Sequence, residues 1–134
     1  MKKAMEADKH VKEGSGYIFA YYFDEEFINK DCFLTKDQKK SFEGGFGAVI
    51  YANYTNSSAG PYQELLFIPG KFAVDGNESY VITKAYCSSA KAMEQQVFCK
   101  KELADFTVEK SDDGTETIIV TRDGKPIFRI AVQS

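Results

Sequence analysis

Residues 60–72, GPYQELLFIPGKF, are the part of the sequence that most directly predicts the fold. Within them, residues 64–68 form a short apolar run, ELLFI, between Gly60-Pro61 and Pro69-Gly70. An apolar run bounded by turn residues is typical of a buried strand. Glu64 is the exception, because a carboxylate in such a strand is costly unless it is exposed, paired or used in function. We therefore expect one of two positions for Glu64. It lies either in solvent at the strand mouth, where it pairs with a surface lysine, or in a functional site.

The composition indicates one globular domain that is rich in β-structure. The chain has 134 residues, 43% of them hydrophobic, with 11 Phe and 8 Tyr, and aromatic residues favour strands. A net charge of -3 and a pI near 5.2 argue against a general nucleic-acid binder, which normally has a basic face. We therefore expect no nucleic-acid partner.

The N-terminal residues bear on the location of the protein, and the cysteines bear on its cofactors. Residues 1–13 are charged throughout, and no run in the chain approaches a transmembrane span, so we expect a soluble, cytoplasmic protein without a membrane partner. Cys32, Cys87 and Cys99 show neither a metal-ligand spacing nor an even disulfide set, and His10 is the single histidine. We therefore expect reduced thiols, no metal and no other cofactor.

Hydrophobic patterns and turn sequences predict the order of elements. Residues 1–16 are predicted to be a polar N-terminal tail, and residues 17–134 a single β domain. Asp-Asp-Gly at 112–114 and Asp-Gly at 123–124 predict two hairpins, so the chain should end as an antiparallel meander. The strands are predicted at residues 17–23, 46–55, 64–68, 80–86, 106–109, 115–121 and 126–132.

Helices are predicted to be few. Ala90, Met93 and Val97 recur at helical spacing, which predicts one short helix near 89–97. Thr35 is a candidate N-cap for a further short helix over residues 36–40. The fold class that follows is mainly β, or β-rich α+β, with an antiparallel curved sheet or a barrel around an apolar cavity.

Four segments follow one another in order over most of residues 44–106. They are GGFGAV at 44–49, GPYQELLFIPG at 60–70, ITKAYCSS at 82–89 and KELADF at 101–106. In this order they resemble the acetoacetate decarboxylase-like family, which has a glycine-rich strand, a segment of the form G-P-Y-x-E-L-L-x-I-P-G, a segment of the form I-T-x-x-Y-x-S-S, and a lysine followed by L-A-x-F.

The resemblance implies a barrel-like β fold around an apolar cavity and decarboxylation through a Schiff base between a lysine and a ketone. By position, Lys101 corresponds to the Schiff-base lysine and Glu64 to a cavity carboxylate. The amine must be neutral to react, and acetoacetate decarboxylase itself exemplifies activation by a neighbouring cation, a role that Lys100 would take here. The residues expected to line the substrate cavity are Tyr62, Phe67, Ile82 and Tyr86, although aromatic residues in strands are also typical core residues.

The chain also departs from the family pattern. Glu94 and Lys100 stand where the family has an arginine and a proline, so the arginine expected to hold a substrate carboxylate is missing from its place. Glu102 stands where the true decarboxylase has a second lysine. Family members are about twice this length, so we expect either a second copy that completes the fold or a reduced relative. The apolar strand 126–132 would then lie at an interface of a homo-oligomer.

Two functions follow. The first is a Schiff-base lyase that acts on a small β-keto acid or a related carbonyl compound, with Lys101, Glu64 and Lys100 as catalytic residues. The second is a non-catalytic β-barrel of the same family that binds a small ligand. The second is compatible with Lys100 and Lys101 as a solvated pair at a helix end and Glu64 as a surface residue.

Overall fold

The computed structural model describes residues 13–31, 34–95 and 100–133, which form eleven strands and three helices. The helices are α1 (Glu25–Asp31), α2 (Lys36–Ser41) and α3 (Ala90–Gln95). The strands are β1 (Glu13–Tyr21), β2 (Phe42–Gly44), β3 (Gly47–Asn56), β4 (Tyr62–Ile68), β5 (Lys71–Val74), β6 (Asn77–Tyr80), β7 (Lys84–Cys87), β8 (Lys100–Leu103), β9 (Asp105–Lys110), β10 (Glu116–Arg122) and β11 (Lys125–Val132).

The main sheet has five strands in the order β1-β3-β4-β7-β8. The first four strands pair antiparallel, whereas β7 and β8 pair parallel. A parallel pair needs a crossover connection, and α3 lies in the connection between these two strands. The main sheet is therefore mixed and not antiparallel throughout, and β4, which contains Glu64, lies at its centre.

The second sheet is the antiparallel meander β11-β10-β9 that the turn sequences predict. Asp123 and Gly124 have φ angles of 52° and 76°, which is the left-handed backbone that a two-residue hairpin turn requires. Ile118 and Val120 of this sheet are fully buried against one face of the main sheet. The buried residues of this core are Val49, Tyr51, Leu65, Phe67, Tyr86, Ile118 and Val120.

The fold class is mainly β with a few short helices, as predicted, but the barrel alternative is wrong. A third sheet, β2-β5-β6, completes the set, and none of the sheets closes on itself within the described residues. No helix in the described ranges has the length and apolar character that crossing a bilayer requires.

Two of the helices were predicted and one was not. Helix α2 begins after Thr35 with a complete capping box, since Gln38 N donates to Thr35 Oγ1 at 3.1 Å and Thr35 N donates to Gln38 Oε1 at 2.9 Å. Helix α3 lies inside the predicted range, of which residues 96–97 are outside the described part of the chain. Helix α1 was missed; its cap is Asp24, whose Oδ1 accepts from Glu26 N at 2.8 Å.

Two strand predictions need correction. Strand β1 begins at Glu13, so residues 13–16 lie in the main sheet and not in a tail, while residues 1–12 are outside the described part. The predicted strand 80–86 is two strands, because β6 ends at Tyr80 in the third sheet and β7 begins at Lys84 in the main sheet. Alternation of apolar and polar residues cannot distinguish one strand from two that belong to different sheets.

The centre of the core gives a first prediction. Leu65 is fully buried in β4, with Tyr51 and Tyr86 opposite it on the neighbouring strands. We expect Leu65→Ala to lower the free energy of unfolding by about 2–5 kcal/mol, because it removes buried methyl groups and leaves a cavity. Urea denaturation measures the change. Leu103→Ala is the matched control, since Leu103 is 44% exposed and its loss should change stability far less. Equal losses of unfolding free energy in the two variants would contradict the burial of Leu65 in the core.

Tyr51 gives a second prediction. Its side chain is 2% exposed and its hydroxyl donates to Gln63 Oε1. Burial, followed by the charge of Glu116 and then by Tyr17, raises the pKa of Tyr51 from 10.0 to about 12. Because the pKa is higher in the folded state, the neutral hydroxyl contributes stability that is fully present below pH 10.0 and is lost as the pH rises through about 12.

An alkaline absorbance titration checks this assignment. We expect Tyr51→Phe to remove one tyrosine from the group that ionises near pH 12. Tyr22→Phe is the control, because Tyr22 is 70% exposed. Its loss should leave the number of tyrosines that ionise near pH 12 unchanged. If Tyr51→Phe and the wild type have the same number of tyrosines that ionise near pH 12, the Tyr51 hydroxyl is not buried beside Glu116.

Candidate functional site

Glu64 and Lys101, two of the predicted site residues, are brought into contact across β7. Glu64 is opposite Cys87, and Lys101 is opposite Ala85, two residues earlier on the same strand, so both side chains lie on one face of the main sheet. Lys101 Nζ donates to Glu64 Oε1 at 3.4 Å. The side chains are 4% and 2% exposed. Lys101 is therefore not a solvated lysine at a helix end, and Glu64 is not a surface carboxylate.

The surroundings of this ion pair are apolar and aromatic. Tyr62, Cys87 and Ala92 form a buried cluster on the same face, with Tyr54, Ala59 and Met93 packed against it. Glu64 Oε2 is buried and has no hydrogen-bond partner among the described residues. A buried carboxylate oxygen without a partner is costly and needs an explanation, such as a catalytic role or a bound water or ion.

Two tyrosines share this face with Glu64. Their rings are 4.9 Å apart between centroids. Burial, and then the charge of Glu64, raises the pKa of Tyr54 and of Tyr62 above the usual value of 10.0. Both hydroxyls therefore stay protonated at neutral pH and remain able to donate hydrogen bonds beside the carboxylate.

A second charged cluster lies on the opposite face of the main sheet. Lys84 is fully buried and donates to Glu102 Oε1, and its Nζ is 5.1 Å from the centroid of the Tyr86 ring. Arg122 Nη1 lies 2.6 Å from Glu102 Oε2 and donates to the Leu103 carbonyl oxygen at 3.0 Å. Glu102 therefore pairs with two other cations and not with Lys101, which it follows in the chain. Neither Lys84 nor Arg122 stands out as a site residue in the sequence.

The structure separates the residues predicted to line one cavity. Tyr62 lies on the face of Glu64, whereas Phe67 and Tyr86 belong to the core on the other face, and Ile82 lies in the connection before β7. Phe67 follows Glu64 by an odd number of residues, and side chains alternate faces along a strand, so the two cannot share a face.

Lys100 begins β8, where its backbone is opposite Lys84. Its side chain lies outside the described part of the structure, so its role as the neighbouring cation stays a prediction.

A cavity of about 560 Å³ opens beside β8, within the usual size range of small-molecule sites. It lies where the edge of the main sheet meets the hairpin of β10 and β11, so residues from both sheets contribute to it. The lining residues are Ser88, Met93, Lys101, Glu102, Leu103, Ala104, Asp105, Arg122 and Asp123. Lys101 thus belongs both to the buried ion pair and to the wall of an open cavity.

The arrangement of a mixed five-stranded sheet with a three-stranded meander packed on one face matches solved structures. The chain has the acetoacetate decarboxylase-like fold, as its motifs predicted. It is similar to an acetoacetate decarboxylase from Legionella pneumophila, with a TM-score of 0.66 and 15% identity over 91% of this chain and 48% of that chain.

A second similar protein is MppR, an enzyme of enduracididine biosynthesis. The structure of MppR with pyruvate gives a TM-score of 0.64 and 14% identity over 90% of this chain and 55% of that chain. The structure of MppR with the condensation product of pyruvate and imidazole 4-carboxaldehyde gives the same TM-score and identity, over 90% and 53%. The chain therefore spans about half the length of the solved structures that it matches. No protein-family model and no curated protein sequence matches it.

The ion pair gives a third prediction, which concerns coupling. We expect Glu64→Gln and Lys101→Met each to lower the free energy of unfolding by about 3–5 kcal/mol, because each leaves one buried charge without its partner. The double variant should lose much less than the sum of the two, since it leaves neither charge. Urea denaturation of the four proteins forms a double-mutant cycle.

The control cycle uses Glu26→Gln and Lys30→Met, because this ion pair has the same residue types but is 73% and 70% exposed. An exposed pair of this kind couples weakly. Additive losses at Glu64 and Lys101 would show that the two charges do not interact in solution.

Proposed function

We propose that the protein is a Schiff-base-forming enzyme that acts on a small β-keto acid or a related carbonyl compound. Lys101 is the amine nucleophile and Glu64 is the group that moves protons beside it. The observation that supports this most is the position of Lys101, a residue in the wall of an open cavity whose side chain is 4% exposed and lies 3.4 Å from a buried carboxylate oxygen. Amine catalysis needs a lysine that the substrate can reach and a group that takes its proton before attack.

The chemistry proceeds through an iminium ion. The Nζ lone pair of Lys101 attacks the ketone carbon, and the carbonyl oxygen takes up protons and leaves as water. In a β-keto acid, the electrons of the bond to the carboxylate carbon then form the enamine double bond as carbon dioxide leaves. Protonation of the enamine carbon and hydrolysis of the resulting iminium return the ketone and the free amine.

Glu64 is suited to the proton transfers in this sequence. Its Oε1 contacts Lys101 Nζ, so it can take the proton that the amine must lose before attack. The protonated carboxyl group can then deliver that proton to the departing oxygen. The hydroxyls of Tyr54 and Tyr62, which remain protonated, can donate hydrogen bonds to the carboxylate while it is charged.

The similar structures support a small keto acid as the substrate class. One of them is named as an acetoacetate decarboxylase, and MppR is described in complex with pyruvate, which is also a keto acid. At identities of 15% and 14% these structures share the fold with this chain, and the activity itself rests on the Lys101 site. Homo-oligomer formation through β11 and a cytoplasmic location remain predictions.

Trapping with borohydride tests the proposal. Borohydride reduces an iminium to a stable secondary amine, so incubation with acetoacetate or acetone should add the reduced ketone to one lysine, detected by mass spectrometry. Peptide mapping should place the adduct at Lys101, and Lys101→Ala should abolish it. Lys30→Ala is the matched control, because Lys30 is 70% exposed in an ordinary surface pair.

The outcomes separate the possibilities. A wild-type protein that forms no adduct with either compound would refute the Schiff-base function, as would an adduct mapped to another lysine. Because mapping uses the wild-type protein, it remains decisive even if Lys101→Ala is destabilised. A circular dichroism melt of each variant identifies such a loss.

A non-catalytic role in ligand binding is the second candidate, and a separate cleft favours it. This cleft of about 340 Å³ lies at one end of the core, where Phe67 forms part of its wall, and its lining is almost entirely apolar and aromatic. The lining residues are Tyr21, Tyr22, Phe23, Asp24, Phe27, Val49, Phe67, Ile127 and Phe128. Binding of an apolar probe such as anilinonaphthalene sulfonate, weakened by Phe128→Ala, together with no borohydride adduct would favour this function.

A further inference from the structure

A second space, which we call the polar cleft, opens between the main sheet and the second sheet, with a volume of about 490 Å³. It includes Lys110, which ends β9, and Glu116, which begins β10. The cavity beside β8 instead includes Asp105, which begins β9, and Arg122, which ends β10. The two spaces thus lie at opposite ends of β9 and β10 and share none of the described residues. The polar cleft is therefore separate from the site around Lys101.

Polar side chains from four strands converge on the polar cleft. They are Ser15 and Tyr17 of β1, Tyr51 and Asn53 of β3, Lys110 of β9 and Glu116 of β10. Lys110 follows Val108 by two residues and Glu116 precedes Ile118 by two, and Val108 and Ile118 belong to the core. Because side chains alternate faces along a strand, both charged residues lie on the face that packs against the main sheet. A few convergent polar groups in a cleft of this size are typical of small-molecule sites.

Lys110 and Glu116 are opposite each other on neighbouring strands, yet they do not form an ion pair. They are Cα partners in the antiparallel pairing of β9 and β10, a position in which opposite charges normally attract each other across the strands. None of the ion pairs in the described part of the chain includes either residue. Glu116 Oε1 instead accepts a hydrogen bond from the Tyr17 hydroxyl at 3.4 Å, which directs the carboxylate towards β1. The polar cleft therefore has one cation and one anion in its wall, each without an opposite charge.

The opposite wall offers neutral groups. The rings of Tyr17 and Tyr51 stack with their centroids 6.4 Å apart, and the Tyr51 hydroxyl donates to Gln63 Oε1. Asn53 is half-buried, and its side-chain amide makes no hydrogen bond with any residue that the structure describes. An amide has both a donor and an acceptor. Asn53 is therefore able to give and to receive a hydrogen bond from a ligand in the polar cleft.

The charges of the polar cleft determine which class of ligand it fits. An anion attracted by Lys110 is repelled by Glu116, and a cation attracted by Glu116 is repelled by Lys110. A small zwitterion, in which a carboxylate and an ammonium group are a few ångströms apart, is attracted by both residues at once. A free α-amino acid carries these two groups on one carbon atom.

We propose that the polar cleft is a binding site for a small zwitterion of the amino-acid class. Lys110 binds the carboxylate of the ligand and Glu116 binds its ammonium group, while the Asn53 amide contacts the ligand from the wall formed by the main sheet. The site uses none of the residues proposed for Schiff-base chemistry, so this inference stands whether or not Lys101 is a nucleophile.

NMR titration of the wild-type protein with three small compounds tests the class of ligand. L-Alanine carries both charges, propionate carries only the carboxylate, and ethylammonium carries only the ammonium group. We expect L-alanine to shift the amide resonances of residues in the polar cleft, including Tyr17, Asn53 and Glu116. We also expect it to bind at least about ten-fold more tightly than either other compound, because each of those lacks one charge-assisted hydrogen bond.

Two variants that each remove one charge test the residues. Lys110→Met and Glu116→Gln should each raise the Kd of L-alanine about ten-fold. Their effects on the other two compounds should be opposite. Glu116→Gln should tighten the binding of propionate, because it removes the repulsion by the carboxylate, and Lys110→Met should tighten the binding of ethylammonium for the corresponding reason. Glu116→Gln also keeps an oxygen that accepts from the Tyr17 hydroxyl.

Glu109→Gln and Lys125→Met are the matched controls, because both residues are exposed and neither lines the polar cleft. Both variants should bind L-alanine as the wild type does. The assignment is overturned if the wild type shows no saturable shifts with L-alanine, if the shifts lie outside the polar cleft, or if propionate or ethylammonium binds equally well. Unchanged L-alanine affinity in Lys110→Met or in Glu116→Gln would also overturn it. The comparison of the three compounds uses the wild type, so it remains decisive even if a variant is destabilised.

Discussion

The structure depends on a carboxylate placed at the centre of a sheet. Glu64 is 2% exposed in the middle strand of the main sheet, and a charge in that position needs a cation. The cation comes from β8, which lies next to β7 only because the chain crosses over and pairs parallel. Helix α3 lies in that crossover, and its Ala92 and Met93 pack into the apolar cluster on the face of the ion pair. The crossover therefore places β8, which carries the partner of Glu64, beside β7. Its helix also covers the ion pair and excludes water from it.

The energetics of this arrangement favour a functional origin. A buried ion pair in apolar surroundings is often no more stabilising than well-packed hydrophobic residues of similar volume, because both charges must be desolvated. Lys101 Nζ contacts Glu64 Oε1 at 3.4 Å, and Glu64 Oε2 has no hydrogen-bond partner in the described part of the chain. A pair maintained for stability alone would be expected to satisfy that oxygen. Its incomplete satisfaction leaves an acceptor available for a ligand or for a proton.

The main sheet separates two groups of charges that are adjacent in the sequence. Lys101 and Glu102 are neighbours in β8, yet their side chains lie on opposite faces, and each has its own partners. The carboxylate of Glu102 is therefore directed to Lys84 and Arg122, and Lys101 meets Glu64. Residues of both groups are among those that line the cavity at the edge of β8. An edge strand is the place in a sheet where residues of opposite faces can contribute to one site.

The sequence by itself determined the local features of this protein. Turn chemistry predicted the hairpin at Asp123-Gly124, a capping residue predicted α2, and the misfit of a carboxylate in an apolar run identified Glu64. The motifs that resemble acetoacetate decarboxylase predicted the fold. The alternation of residues along β4 also places Phe67 and Glu64 on opposite faces. Only the tertiary structure decided that Lys101 meets Glu64, that Glu102 pairs with Lys84, and that Arg122 reaches the same cavity. The physical reason is that turns, caps and alternation depend on neighbours in the chain, whereas strand order and the partner of each buried charge depend on how distant strands pack.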